Sequence, residues 1–141
     1  MTKQRVHRLA EACLQLTGAY EDQPFGPGTL VYRVRAVPGE QGKIFALLMG
    51  GSDAGGATRL NLKCEPDLAV RLRAEHPEVV PGYHMNKRHW NTLRFGGDAP
   101  STLSDAEIHD LIEDSYDLIV ASLPRAHQER LHWVGLASGE E

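Results

Sequence analysis

The sequence predicts an α+β domain: a two-layer sandwich in which an antiparallel sheet of about five strands is packed by helices, in the order α-β-β-β-α-β-β-α. Two observations carry this. Residues 58–64 alternate strictly, with Leu60, Leu62 and Cys64 on one face and Arg59, Asn61 and Lys63 on the other. One buried face per strand is the mark of an antiparallel sheet backed by helices. Three helical patterns, each bounded by a cap or a proline, then supply the second layer.

Helix one is predicted over residues 3–17, where Val6, Leu9, Ala10 and Cys13 recur at helical spacing. Thr17-Gly18 ends it, glycine being suited to the left-handed C-terminal position. From Ala19 to Thr29 the breakers Pro24, Gly26, Pro27 and Gly28 predict an irregular connection. Strands are predicted over 30–35, 43–49 and 58–64, the last two joined by a flexible glycine-rich hairpin tip from Gly50 to Ala57. Pro66 fits a first helical turn, and helix two runs to His76, before Pro77. Val79–Gly82 reads as a strand end or turn. Tyr83–Phe95 reads as two strand pieces joined near Asn86-Lys87.

Ser104 and Glu107 form a capping box for a helix over 104–123, with Ile108, Leu111, Ile112, Ser115, Ile119 and Leu123 along its apolar stripe. Pro124 stops it. Residues 1–124 are therefore one domain. Residues 125–141 are a polar tail, partly frayed, from which Leu131, Trp133 and Leu136 are the side chains able to dock.

Composition excludes several classes of function. The chain has 141 residues, 41% hydrophobic and 24% charged, ordinary for one soluble domain. No apolar run reaches the roughly 20 residues of a membrane span, and no leader pattern is visible, so a cytoplasmic protein without membrane partners is expected. Cys13 and Cys64 match no zinc spacing and fall on inward faces, where packing is their role. No nucleophile elbow, phosphate loop or His-Glu-x-x-His motif is present. His84 and His89 are five residues apart, a spacing that puts them on one face of neither helix nor strand. Neither catalysis nor a bound metal or cofactor is expected.

Charge is distributed unevenly. The net charge is −4, and Asp98–Asp117 holds seven acids and no Lys or Arg, yet Pro81–Phe95 holds Lys87, Arg88 and Arg94 and no acid. Tyr83, His84, His89 and Trp90 are interleaved with these cations. Cations neutralise phosphates and aromatic faces stack on bases, while Asn86 and Asn91 can hydrogen-bond base edges. Alternation places Trp90, Thr92 and Arg94 on one strand face, opposite Asn91, Leu93 and Phe95. The alternative is that Tyr83 and Trp90 pack in the core and the charges form a solvated edge. The acids at Asp105, Glu107, Asp110, Glu113, Asp114 and Asp117 read as a solvated helix face, the first two favoured by the helix dipole.

Asn61-Leu-Lys-Cys64, Pro66-Asp-Leu68 and the run Pro81-Gly-Tyr-His-Met-Asn-Lys-Arg-His-Trp-Asn-Thr92 together resemble the MmcQ/YjbR family of small bacterial proteins. Asp22–Gly26 and Asp114–Pro124 are similar to that family's terminal signatures. The resemblance implies a compact two-layer domain, similar to type III secretion chaperones and to the frataxin-like CyaY shape, and a DNA-binding label. The glycine-rich stretch 50–56 and the tail after Pro124 depart from the family pattern.

The expected site for weak, salt-sensitive DNA contact is therefore Lys63, Tyr83, His84, Asn86, Lys87, Arg88, His89, Trp90, Asn91 and Arg94. The alternative function is a protein-interaction or chaperone-like adaptor, or a homodimer, using the exposed sheet around Trp90. Convergence of Lys63, Lys87, Arg88 and Arg94 favours a phosphate track. Their dispersal favours a protein contact, whose core is aromatic and poor in charge.

Overall fold

A computed structural model describes residues 3–83 and 85–139. In chain order its elements are α1 (Lys3–Leu14), β1 (Ala19–Asp22), β2 (Thr29–Val34), β3 (Lys43–Met49), β4 (Thr58–Lys63), α2 (Pro66–Glu75), β5 (Val79–Pro81), β6 (Trp90–Phe95), α3 (Asp105–Ala121) and α4 (Arg125–Gly139). The strands form an antiparallel sheet in the order β1-β2-β3-β4-β6-β5. The α+β class and the helix-backed sheet are as the pattern predicts.

The sheet has six strands rather than five. The added one, β1, lies in a stretch expected to be irregular. All its breakers fall beyond Asp22, which leaves Ala19–Asp22 free to pair with Val31–Val34. Arg33 then closes the hairpin on Asp22 at 3.0 Å. Gly18, at φ 77°, makes the turn into β1. A Cβ there would lie 2.4 Å from the Arg35 carbonyl oxygen, so only glycine fits.

The core lies between the sheet's inner face and α1 and α3. Leu60, Leu62, Leu93 and Phe95 meet Ile108, Ile112 and Ile119, all at most 6% exposed. Burying each such side chain stabilises the fold by about 1.5–3 kcal/mol. β3 carries a bulge: Tyr32 opposes Ala46 and Arg33 opposes Ile44, leaving Phe45 as the extra residue. Phe45 is turned into the core, edge-on to Tyr116 at 5.6 Å. The capping box of α3 is formed in both directions, Glu107 N–H to Ser104 Oγ at 3.1 Å and Ser104 N–H to Glu107 Oε1 at 3.0 Å.

The segment after Pro124 is helical, not frayed. Leu131 is 5% exposed and packs at Gly18, and Arg130 Nε donates to the Ala36 carbonyl at 2.7 Å. Trp133 and Leu136 stay outside, 69% and 47% exposed.

The glycine-rich hairpin tip is clamped. Asp53 Oδ1 accepts from the N–H groups of Gly55 (2.9 Å) and Ala57 (3.0 Å), and Asp98 N–H donates to the Gly55 carbonyl at 2.9 Å. Asp53 lies within the tip, but Asp98 lies some 40 residues on, beyond β6, so local composition gave no sign of that contact. Among the described residues, no helix is long and apolar enough to cross a membrane.

Candidate functional site

The basic segment enters β6 through a hydrogen-bonded turn at residues 86–90. Asn86 makes it: its side-chain oxygen accepts from Arg88 N–H at 2.9 Å, and its carbonyl accepts from His89 and Trp90 N–H at 3.1 and 2.9 Å. Arg73 of α2 clamps it from below, donating to the Lys87 carbonyl at 3.0 Å and to Asn91 Oδ1 at 2.9 Å. Cys64 N–H reaches the His89 carbonyl at 2.8 Å, fixing the turn to the end of β4. Lys63 stands directly across from Trp90 in the register. Lys63, Lys87, Arg88 and His89 thus lie on adjoining backbone, Lys87 and Arg88 exposed and Lys63, His89 and Trp90 half-buried.

Three of the expected contact residues are committed elsewhere. Asn91 is 2% exposed, held by Arg73 and by its own donation to the Ala69 carbonyl. Asn86 spends its side-chain oxygen on the turn. Arg94 lies at the opposite end of β6, paired through Nε with Asp53 at 2.7 Å and through Nη2 with Asp98 at 2.5 Å. Its hydrogen bonds from Arg94 hold the Asp53 carboxyl far below the usual carboxylate range, and the same bonds raise the Arg94 guanidinium above its own. The local +3 counted along the sequence is therefore smaller on the surface. His84 lies outside the described residues.

Tyr83 belongs to a different neighbourhood. Asn61 and Thr92 face each other on the sheet's outer side. Thr92 Oγ1 donates to Asn61 Oδ1 at 2.6 Å and accepts from Tyr83 N–H at 2.9 Å, while Asn61 Nδ2 donates to the Tyr83 carbonyl at 2.9 Å. This closed network straps residues 82–83 across the outer face, buries both polar side chains, and lays the Tyr83 ring against Arg59, whose guanidinium carbon is 4.9 Å from the ring centroid. Arg59 and Asp53 were not among the expected site residues. The alternation had placed Arg59 on the same face as Lys63, and that was the available signal.

Both cysteines are buried and free. Burial pushes the Cys13 thiol up to about 12. It pushes Cys64 to about 11, helped by the charges of Asp114 and Glu65. Both therefore stay protonated thiols at neutral pH. Among the described residues no three His, Cys, Asp or Glu side chains gather as a metal site would need.

The YjbR family model matches residues 14–118, most of the chain. The chain belongs to the YjbR family. It is 35% identical to YbdF of Escherichia coli O157:H7, over 93% of this chain and 98% of that protein. To YjbR of Escherichia coli K12 it is 38% identical over 51% of this chain and 58% of the other. Among solved structures it is similar to a Deinococcus radiodurans protein (TM-score 0.76, 31% identity, 90% of this chain and 87% of that one) and to a Pseudomonas syringae protein (TM-score 0.64, 32% identity, 84% and 99%). The family region contains the whole basic turn, β4 and the Asn61–Thr92 network, whereas α4 lies beyond it.

Proposed function

We propose that the protein is a non-catalytic DNA-binding protein that holds phosphates weakly with Lys63, Lys87 and Arg88, next to the imidazole of His89 and the half-buried ring of Trp90. One observation carries this reading: the three cations occupy adjoining backbone at the β4 end and the neighbouring turn, and among the described residues none of them forms an ion pair. A turn held by its own hydrogen bonds also lowers the ordering cost of each contact. The acids of α3 sit in the helical layer behind the sheet and oppose a second contact, so affinity is modest.

Fluorescence anisotropy with single- and double-stranded oligonucleotides tests the reading. Three phosphate contacts give a slope of about −2 to −3 in log affinity against log salt. No saturable binding by about 100 μM protein at about 50 mM salt, the weak limit of non-specific association, would overturn it. The adaptor reading would then be the better one.

A further inference from the structure

The outer face of the sheet carries a cleft that the phosphate-contacting turn leaves unused. Its volume is about 460 Å³, inside the range of roughly 300–1,000 Å³ in which proteins hold small organic molecules. Leu47 and Met49 of β3 line it while only 6% and 8% exposed, so they form its floor. Phe25 and Tyr83 line it while 64% and 47% exposed, so both rings present aromatic surface to the cleft. Met85 adds a second thioether beside that of Met49. Methionine sulfur adapts its shape and packs well on ring edges.

Arg59 gives this apolar cleft its polarity. Among the described residues it is the one charged side chain lining the cleft, and none of them brings a carboxylate there. It faces Met49 directly across the β3–β4 ladder, and its guanidinium rests on the Tyr83 ring at 4.9 Å. Its Nε is buried and lacks a hydrogen-bond partner. That atom is closed to solvent, so a ligand in the cleft meets the terminal guanidinium nitrogens, and a guanidinium is best satisfied by a carboxylate accepting through both oxygens.

We propose that this cleft is a binding site for a small aromatic monocarboxylate. The ring lies over Leu47 and Met49 against Phe25 and Tyr83, and the carboxylate accepts from Arg59. Among the described lining residues one cation matches one negative charge. The flat rings favour a planar ligand over a branched aliphatic one. The site is separate from Lys63, Lys87 and Arg88 and does not depend on the DNA reading.

The probes are 2-naphthoate and its neutral amide, 2-naphthamide, titrated into protein carrying carbon-13 methionine methyl labels. The Met49 and Met85 methyl signals are expected to shift saturably with 2-naphthoate, and the amide to bind at least about tenfold more weakly. Arg59→Gln is expected to weaken the naphthoate about tenfold or more and leave the amide unchanged. The double variant Lys87→Ala/Arg88→Ala leaves both probes unchanged and reports separately on DNA. Equal affinity of acid and amide on the unsubstituted protein would overturn the proposal, and that comparison stands even if Arg59→Gln fails to fold. So would the absence of saturable shifts at low millimolar ligand, which would leave the cleft as a surface for a peptide or a second copy of the chain.

Discussion

Ser115 donates its hydroxyl proton to the Phe45 carbonyl at 2.6 Å, and accepts the Lys63 N–H at 2.8 Å. Phe45 is the bulged residue of β3, so its carbonyl has lost its regular ladder partner. Lys63 ends β4. One fully buried serine on α3 thus satisfies two backbone groups of the sheet and ties the helical layer to the strand that carries Lys63.

Ser115→Ala leaves both groups buried and unpaired. A loss of about 1–3 kcal/mol is expected. It should appear in urea unfolding as a lower midpoint at unchanged slope. An unchanged midpoint would mean that water replaces the hydroxyl.

Glu78 is 2% exposed and accepts from Thr102 N–H (2.5 Å), Thr102 Oγ1 (2.6 Å) and Leu103 N–H (2.9 Å), anchoring the approach to α3 onto the start of β5. Burial alone would raise its pKa, but the hydrogen bonds from Thr102 and Leu103 outweigh burial and hold the carboxyl below its ordinary value. The unfolded chain then binds this proton more readily than the folded one. Its contribution is complete above the unfolded value of about 4.3 and is lost as pH falls through the folded value. Glu78→Gln, which sets an amide NH₂ against backbone donors, is expected to cost about 1–3 kcal/mol near pH 7. The gap between variant and parent urea midpoints should narrow steadily below about pH 4. A constant gap would show that packing, not ionisation, accounts for it.

Local rules account for the elements the chain alone made visible. Ser104 and Glu107 announced α3, Pro66 opened α2, and the alternation at Leu60–Lys63 gave β4 its two faces. Local rules could not register partners distant in sequence. β1 is four residues long and has no periodicity of its own, so pairing with β2 is what defines it. The Gly50–Ala57 tip is ordered by Arg94 and Asp98, and α4 is held through Leu131 and Arg130. The same limit applies at the site. Lys87 and Arg88 are exposed as the sequence led one to expect, because cations in a turn need no partner. Arg94 and Asn91 were misjudged because their partners, Asp53, Asp98, Arg73 and Ala69, lie from four to 41 residues away.

Leu131 and Trp133 separate docking from mere helicity in α4. Leu131 is 5% exposed and Trp133 is 69% exposed. Leu131→Ala is expected to destabilise by about 2–4 kcal/mol through lost burial and a residual cavity. Trp133→Ala should stay within about 0.5 kcal/mol. Thermal or urea unfolding checks both, and equal small effects would mean that α4 is undocked in solution.

Lys87 and Arg94 are both cations of the β5–β6 segment, and they should respond oppositely. Lys87→Ala should leave stability within about 0.5 kcal/mol and flatten the salt dependence of DNA binding by about one unit of slope. Arg94→Ala should leave that slope alone, because its guanidinium is already neutralised by Asp53 and Asp98. Its cost falls on the hairpin, where two carboxylates lose their shared counter-charge and the Gly55 and Ala57 amides lose protection from hydrogen exchange. The pH response differs too. With Arg94 present, Asp53 is held far below the usual range, so its contribution persists until strong acid. Without Arg94, the Asp53 value rises toward the ordinary aspartate value of about 3.9, and hairpin protection is lost at a correspondingly higher pH. A flattened salt slope in Arg94→Ala would place this guanidinium on phosphate after all.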